Sequence, residues 1–127
     1  MSLTTAGRNF ITQAIINDSP TFFSNSNAYL AVGDSTTAFA VGQTDLQATT
    51  NKIRKAMDAT YPTRSANQLT FKSTYSTSEA NFAWNEWGIF NASTGGVMLN
   101  RKVESLGTKV AGTATWVFTV TLTINAS

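Results

Sequence analysis

One stretch near the carboxyl end decides the fold: residues 116–124 read WVFTVTLTI. Large apolar side chains occupy every second position there, and threonines with one valine occupy the positions between them. Alternation with a period of two is typical of a β-strand that has one buried and one exposed face. We therefore predict a strand with a row of threonines on its outer face. The five side chains predicted to enter the core are Trp116, Phe118, Val120, Leu122 and Ile124.

Several shorter runs upstream of this stretch have the composition of further strands. The run 28–32 is almost continuously apolar, which suits a strand covered on both faces. Residues 91–96 contain Asn, Ser and two glycines, and they predict the turn of a hairpin. The predicted strands occupy residues 28–32, 53–61, 69–75, 82–90, 97–103 and 116–124.

Residues 3–17 form the one segment with a helical pattern. Apolar side chains recur at spacings of three and four from Leu3 to Ile15, and Thr4 or Thr5 can cap the amino end. A helix this short is marginal in water by itself, so its apolar stripe must dock on this chain's sheet or on another chain.

The polar stretch 35–51 has no clear period and is predicted to be a long loop, of the kind that is functional or mobile. The whole chain of 127 residues has the size of one domain. We expect a single, mainly β domain over residues 1–127. It is an antiparallel β-sandwich or jelly-roll-like fold at about 28–125, with one N-terminal α-helix at about 3–17.

The composition excludes several classes of enzyme. The chain has neither Cys nor His, which removes thiol nucleophiles, Ser-His and Cys-His catalysis, and the usual zinc sites. Glu79 and Glu86 are the nearest candidates for an acid/base pair, but they lie at opposite strand parity. Asp34 and Asp45 lack the alternating pattern of a calcium loop and are better interpreted as turn or capping residues. We predict no catalytic residue, no metal and no cofactor, and therefore no enzyme.

The basic side chains form two short runs, Lys52, Arg54 and Lys55, then Arg101 and Lys102. The net charge is only +2, whereas nucleic-acid binders carry a basic face. We interpret the runs as charges that protect strand edges, and we expect no nucleic-acid partner. No segment has the apolar length of a membrane span or the pattern of a signal peptide, so no membrane association is expected.

The aromatic side chains suggest contacts with other chains. Phe22 and Phe23 are adjacent in a predicted loop, and Phe39 lies in the loop 35–51. Strand 82–90 carries aromatics at both parities, so both of its faces should be covered. Either the helix covers one face and the rest of the sheet covers the other, or one Trp lies at an interface, where Trp is enriched. The candidate contact residues are Phe10, Phe22, Phe23, Phe39 and Trp87.

A longer motif resembles a known class of proteins. Residues 84–92 read WNEWGIFNA, and GGVMLNR follows at 95–101. This resembles a pattern of tailed-bacteriophage structural proteins: W-x-E-x-G-[IL]-[FY]-[DN]-A, a glycine turn, and a return strand with an apolar residue and a base. The pattern occurs in particle-attaching domains of tail-collar fibre proteins and in short virion proteins that decorate heads or tails. Residues 28–35, AYLAVGDS, are similar to the early part of the same proteins.

The resemblance implies a virion structural protein, assembled in the host cytoplasm, whose partners are phage capsid or tail proteins. We favour a head decoration (cement) protein that binds between shell subunits, because no fibrous shaft follows the last strand. The alternative is a tail, collar or baseplate/fibre-attachment component. We expect a homo-oligomer, with a trimer favoured. A carbohydrate-binding module is the candidate from a different class, since sandwiches with exposed Trp and Tyr can stack on sugars.

Overall fold

The strands pair into two antiparallel sheets. In the computed structural model, which describes residues 2–126, seven strands and one short helix are present. Sheet A has the order β2-β1-β5-β6, and sheet B has the order β3-β4-β7. A mainly β sandwich with one helix is therefore confirmed. The elements are α1 (Thr5–Ile15), β1 (Tyr29–Gly33), β2 (Lys52–Ala56), β3 (Thr63–Ser65), β4 (Gln68–Tyr75), β5 (Glu86–Phe90), β6 (Met98–Val103) and β7 (Trp116–Thr123).

The main core lies between the two sheets. Leu30 and Ile89 enter it from sheet A, and Phe71 and Val120 enter it from sheet B. The Tyr75 hydroxyl crosses the same space and donates a hydrogen bond of 2.8 Å to the Leu30 carbonyl. Burial raises the pKa of this phenol, so it remains a donor. The hydrogen bond joins the sheets at a point that water does not reach.

Along strand β7, the even-numbered side chains face the core and the odd-numbered side chains face outward, as predicted. Val120 and Leu122 are buried, while the threonines between them are exposed. The Phe118 ring packs edge-to-face on Trp84 and Trp87, with centroid separations of 5.8 and 5.7 Å. The fifth predicted core position was wrong: Ile124 follows the end of the strand and is 55% exposed.

Two predicted strands are shorter than expected. Strand β2 ends at Ala56, because the Asp58 N–H turns to donate to the Lys72 carbonyl of β4. The predicted strand 82–90 is continuous only from Glu86. Between the bridge Ala83–Thr108 and the start of β5, the pairing offset changes by two residues. Strand parity does not carry across this break, so Trp84 and Trp87 lie in one core cluster rather than on opposite faces.

Helix α1 docks on the edge of sheet A. Of the two threonines predicted as possible caps, Thr4 is the cap: its hydroxyl oxygen accepts from the Gly7 N–H at 2.9 Å and donates to the Met98 carbonyl. Gly7 rests directly on β6, where a Cβ atom would collide with the Leu99 carbonyl. The close approach therefore requires glycine, and the helix starts from a fixed position on β6.

The outer face of sheet A is covered by the loop 35–51, not by the helix. Leu46 packs there with Ala31, Phe90 and Met98 in a second apolar cluster. Both faces of β5 are therefore covered, as expected, but a loop is the covering element. Sequence periodicity gave no sign of this, because the apolar residues of this stretch, Leu46 among them, follow no regular period.

A buried ion pair attaches this loop to the sheet. Arg101 Nε donates to Glu86 Oε1 at 2.8 Å, and both side chains are 0% exposed. The carboxylate also accepts backbone N–H bonds from Gln47 and Ala48, each at 2.8 Å, and from Ser35 at 3.3 Å. The pair thus links β5 and β6 to both ends of the loop.

The two other guanidinium nitrogens of Arg101 also bind the loop 35–51. Nη2 donates to the Thr37 carbonyl at 2.9 Å, and Nη1 donates to Gln43 Oε1 at 3.1 Å. Gly33 lies opposite Glu86 across the strand pair, and a Cβ at that position would collide with the carboxylate. Hydrogen bonds from the loop thus satisfy both buried charged groups, and a buried charge without such partners would destabilise the fold.

The faces of β7 can be tested by truncating neighbouring side chains. Phe118→Ala should lower the free energy of unfolding by about 3 kcal/mol, because it removes a ring packed on two tryptophans. Val117→Ala, on the exposed face of the same strand, should cost less than about 1 kcal/mol. Urea unfolding measures both values. Equal losses for the two variants would contradict the assigned faces.

Candidate functional site

One prominent surface feature is an apolar groove between α1, the loop 21–27 and the end of sheet B. Its volume is about 380 Å³, and no charged or amide side chain lines it. We call it the α1 groove. Its lining residues are Leu3, Phe10, Ile11, Ala14, Phe22, Phe23, Pro62, Leu69, Phe71, Leu99, Leu122 and Ile124.

Hydrogen bonds from asparagines hold the loop that forms one wall of the α1 groove. Asn25 Nδ2 donates to the carbonyls of Asp58 and Tyr61, at 3.0 and 2.6 Å. Asn91 Nδ2 donates to the Thr21 carbonyl at 2.9 Å. These bonds fix the backbone on both sides of Phe22 and Phe23. The aromatic wall is therefore preformed.

The opposite wall is the apolar stripe of α1. Phe10 meets Phe23 edge-to-face with centroids 4.9 Å apart, which closes the base of the wall. The stripe continues past the groove, because Ile15 and Ile16 at the end of the helix are largely exposed. Phe22 is 54% exposed at the rim. Exposed large apolar side chains in and beside a groove mark a surface for contact with another molecule.

The predicted contact residues fall into three places. Phe10, Phe22 and Phe23 come together in the α1 groove. Phe39 does not line it; it is half-buried on the loop 35–51. Trp87 is only 5% exposed, and its indole N–H donates to Glu104 Oε1 at 2.9 Å. The interpretation of Trp87 as an interface residue was wrong, since its ring lies in the core.

Sequence reasoning missed half of the groove. The sequence placed Leu69 and Leu122 on strand faces, but it did not reveal that a gap between α1 and sheet B leaves them lining a groove. Ile124 was assigned to the core. One signal was available: the stripe of α1 is wide, running through Ile11, Ala14 and Ile15. Phe10, Ile11 and Ala14 of this stripe line the groove.

The carboxylates considered for catalysis are each held by a cation. Lys55 Nζ donates to both oxygens of Glu79, at 3.0 and 2.8 Å. Glu86 is enclosed with Arg101 beneath the loop 35–51. Neither carboxylate faces the other across a cleft, which glycoside hydrolysis would need.

Asp45 pairs with Lys52 at 2.8 Å and with Arg54 at 3.4 Å. Partial burial would raise its pKa, but the Lys52 hydrogen bond and the neighbouring charges outweigh burial and lower it. These three residues line a second, polar recess of about 300 Å³. Within residues 2–126, no three carboxylates come together as a metal site would require.

Each cation of the two basic runs pairs with a carboxylate. Lys52 and Arg54 pair with Asp45, and Lys55 pairs with Glu79. In the second run, Arg101 pairs with Glu86 and Lys102 pairs with Glu104 at 3.0 Å. The surface near these runs therefore does not present a cluster of free cations. In the part of the chain that the structure describes, no helix has the length and apolarity to cross a bilayer.

The chain was compared with known families and with curated proteins. Neither comparison found a match. Chemically, the groove can bury carbon surface and nothing more, since its walls contain no acid, base or nucleophile.

The Glu79–Lys55 pair predicts a specific acid response. The Lys55 hydrogen bond and the Ser76 N–H lower the pKa of Glu79 from its ordinary 4.5 to about 2. A carboxyl whose pKa is depressed in the folded state stabilises the fold fully when the pH lies above the pKa of the unfolded state. This stabilisation is lost as the pH falls through the pKa of the folded state. The free energy of unfolding of the wild-type protein should therefore fall between pH 4.5 and 2, in part because Glu79 becomes protonated. In Glu79→Gln this contribution is absent, so we expect a smaller fall over the same pH range.

NMR titration of the Glu79 carboxyl gives the direct measurement. Lys55→Met is the control, because it removes the donor and should return the pKa toward its ordinary value. A midpoint near 4.5 in the wild-type protein would contradict the pairing.

Proposed function

We propose that the chain is a virion structural protein of a tailed bacteriophage, and that it serves as a head decoration (cement) protein. It would bind between shell subunits and stabilise the head by adhesion, without turnover. The observation that carries the proposal is the preformed α1 groove, which is lined in part by the exposed Phe22, with the exposed Ile15 and Ile16 beyond it at the end of α1. Apolar burial at such a groove supplies binding energy in proportion to the area covered.

The hairpin that carries the resemblance supports this proposal. Its residues have structural roles: Glu86 and Arg101 form the buried pair, and Gly88 lies opposite Arg101 where a Cβ would press on the Asn100 carbonyl. Asn91 closes the turn, since its Oδ1 accepts from the Val97 N–H at 2.7 Å. A motif built for rigidity suits a subunit that must hold its shape under load from many neighbours.

The cations of the two basic runs are engaged in ion pairs, which supports a protein partner over nucleic acid. A decoration protein is itself bound in many copies, and each weak contact with the shell adds to the stability of the bound fold. Tail, collar or baseplate attachment is the alternative within the same virion, because the hairpin motif occurs there too. Copy number separates the two: decoration predicts hundreds of copies per particle, and a tail position predicts tens or fewer.

The carbohydrate-binding alternative has less support. A sugar platform needs an accessible aromatic face, but Trp84 and Trp87 are buried and Trp116 packs on Trp84 with centroids 5.0 Å apart. Tyr29 is half-buried beside the second apolar cluster. The exposed aromatic surface lies instead at Phe22, inside a concave site.

Binding of the purified chain to particles that lack it tests the proposal. Phe22→Ser should weaken binding about tenfold or more, because it removes apolar area from the rim of the α1 groove. Val110→Ser is the matched control: Val110 is 57% exposed, close to the 54% of Phe22, but lies outside the groove. Equal binding by both variants, or no binding of the wild-type chain to particles, would contradict the proposal.

A further inference from the structure

Three of the four sheet edges carry features that prevent pairing with another strand. The β2 edge carries Lys52, Arg54 and Lys55, so a second such strand would meet like charges. The β3 edge is only three residues long and contains Arg64. The β6 edge is covered at its amino end, where Leu3 bridges to Asn100 and the Thr4 N–H donates to the Leu99 carbonyl.

Strand β7 has none of these features. It is eight residues long, and it forms the edge of sheet B. No charged residue and no proline occurs from 110 to 126. Within the described residues, no strand pairs with its free side, and no side chain hydrogen-bonds to its backbone. A long, neutral, regular edge is the kind of strand that recruits another strand.

The register identifies the backbone groups that face outward. The Ile124 N–H donates to the Asn67 carbonyl at 2.9 Å, in line with the β4–β7 pairing. Hydrogen-bonded and non-hydrogen-bonded positions alternate along an antiparallel pair. Counting back from Ile124, the even-numbered residues of β7 bond to β4. The residues whose N–H and C=O groups point to the free side are Val117, Thr119, Thr121 and Thr123.

We infer that β7 is a self-association edge: β7 of a second copy of this chain pairs with it in antiparallel fashion, across a two-fold axis. Sheet B then continues from one subunit into the other. This inference does not depend on the virion proposal, because it rests on the strand edges alone.

The charge pattern selects a second copy as the occupant. A two-fold axis pairs a strand with its own copy in antiparallel fashion, so the charges on one strand approach charges of the same sign on the other. For β2 this would bring lysines and arginines together. For β7 the facing side chains are threonine and valine, which pair favourably across strands. Of the four edges, β7 is the one whose self-pairing is both long and free of like charges.

A pairing centred on Val120 uses the whole strand. It sets Thr119 opposite Thr121 of the partner subunit and Val117 opposite Thr123 of the partner subunit. All four of these positions have outward-facing backbone groups, so each facing pair exchanges two hydrogen bonds. The half-buried side chains of Trp116 and Phe118 then gain neighbours from the second strand on the inner face.

Thr121→Pro tests the inference with little disturbance of the subunit. It removes the outward N–H of Thr121, while the β4 ladder, which uses the neighbouring residues, keeps its hydrogen bonds. Thr121→Ala is the matched control, since both variants lose the contact of 3.4 Å with the Thr70 hydroxyl but only proline removes the N–H. Sedimentation equilibrium from micromolar to millimolar concentration should give a dimer for wild type and Thr121→Ala. The dissociation constant of Thr121→Pro should be at least about tenfold higher.

Hydrogen exchange supplies a second readout. The amides of Val117, Thr119, Thr121 and Thr123 should gain protection as wild-type concentration rises, while those of Phe118 and Val120 are protected throughout. If Thr121→Pro does not fold, the double variant Thr119→Lys/Thr121→Lys replaces it, because it sets lysines opposite each other in the dimer. A wild-type chain that stays monomeric to millimolar concentration would overturn the inference. So would a dimer or a trimer that both proline and lysine variants leave intact.

Discussion

The structure depends on one buried ion pair, Glu86 with Arg101. The two side chains lie on adjacent strands of sheet A and are fully enclosed, so their charges need partners within the protein. The loop 35–51 supplies them: backbone N–H groups from Ser35, Gln47 and Ala48 for the carboxylate, and oxygens of Thr37 and Gln43 for the guanidinium. A long polar loop without secondary structure thereby gains a fixed path. Removing one partner of such a pair typically costs about 3–5 kcal/mol.

This constraint decides which surfaces remain for other molecules. Because the loop covers the outer face of sheet A, that sheet is enclosed on both faces. Apolar contact surface is then left where α1 stands away from sheet B, at the groove beside Phe22, and pairing capacity is left along β7. The two surfaces differ in chemistry: one buries side chains, and the other offers backbone hydrogen bonds. A chain with both surfaces has one site suited to an apolar surface of another protein and one suited to a strand of a second copy.

Sequence alone predicted the features that come from local rules. The alternation of 116–124 gave the faces of β7, and a threonine at the start of the stripe gave the cap of α1. It failed where tertiary contacts override local pattern. The break between Trp84 and Glu86 arises from two extra residues in the facing segment, so both tryptophans enter one core. Phe10, Phe22 and Phe23, selected from the sequence as contact residues, lie together in the α1 groove, but that groove needs the docking position of Gly7 on β6, which no spacing reveals.

The most direct test of the account is the exchange of the backbone amides of Gln47 and Ala48 in the wild-type protein. Both belong to a loop without regular structure, and the Glu86 carboxylate is the acceptor for each N–H. If the buried pair fixes the loop, these two amides should exchange as slowly as core amides of β1 and β5, through openings close to global unfolding. Exchange at the rate of an unprotected surface loop would show that the pair does not hold the loop, and the account of the fold would fail with it.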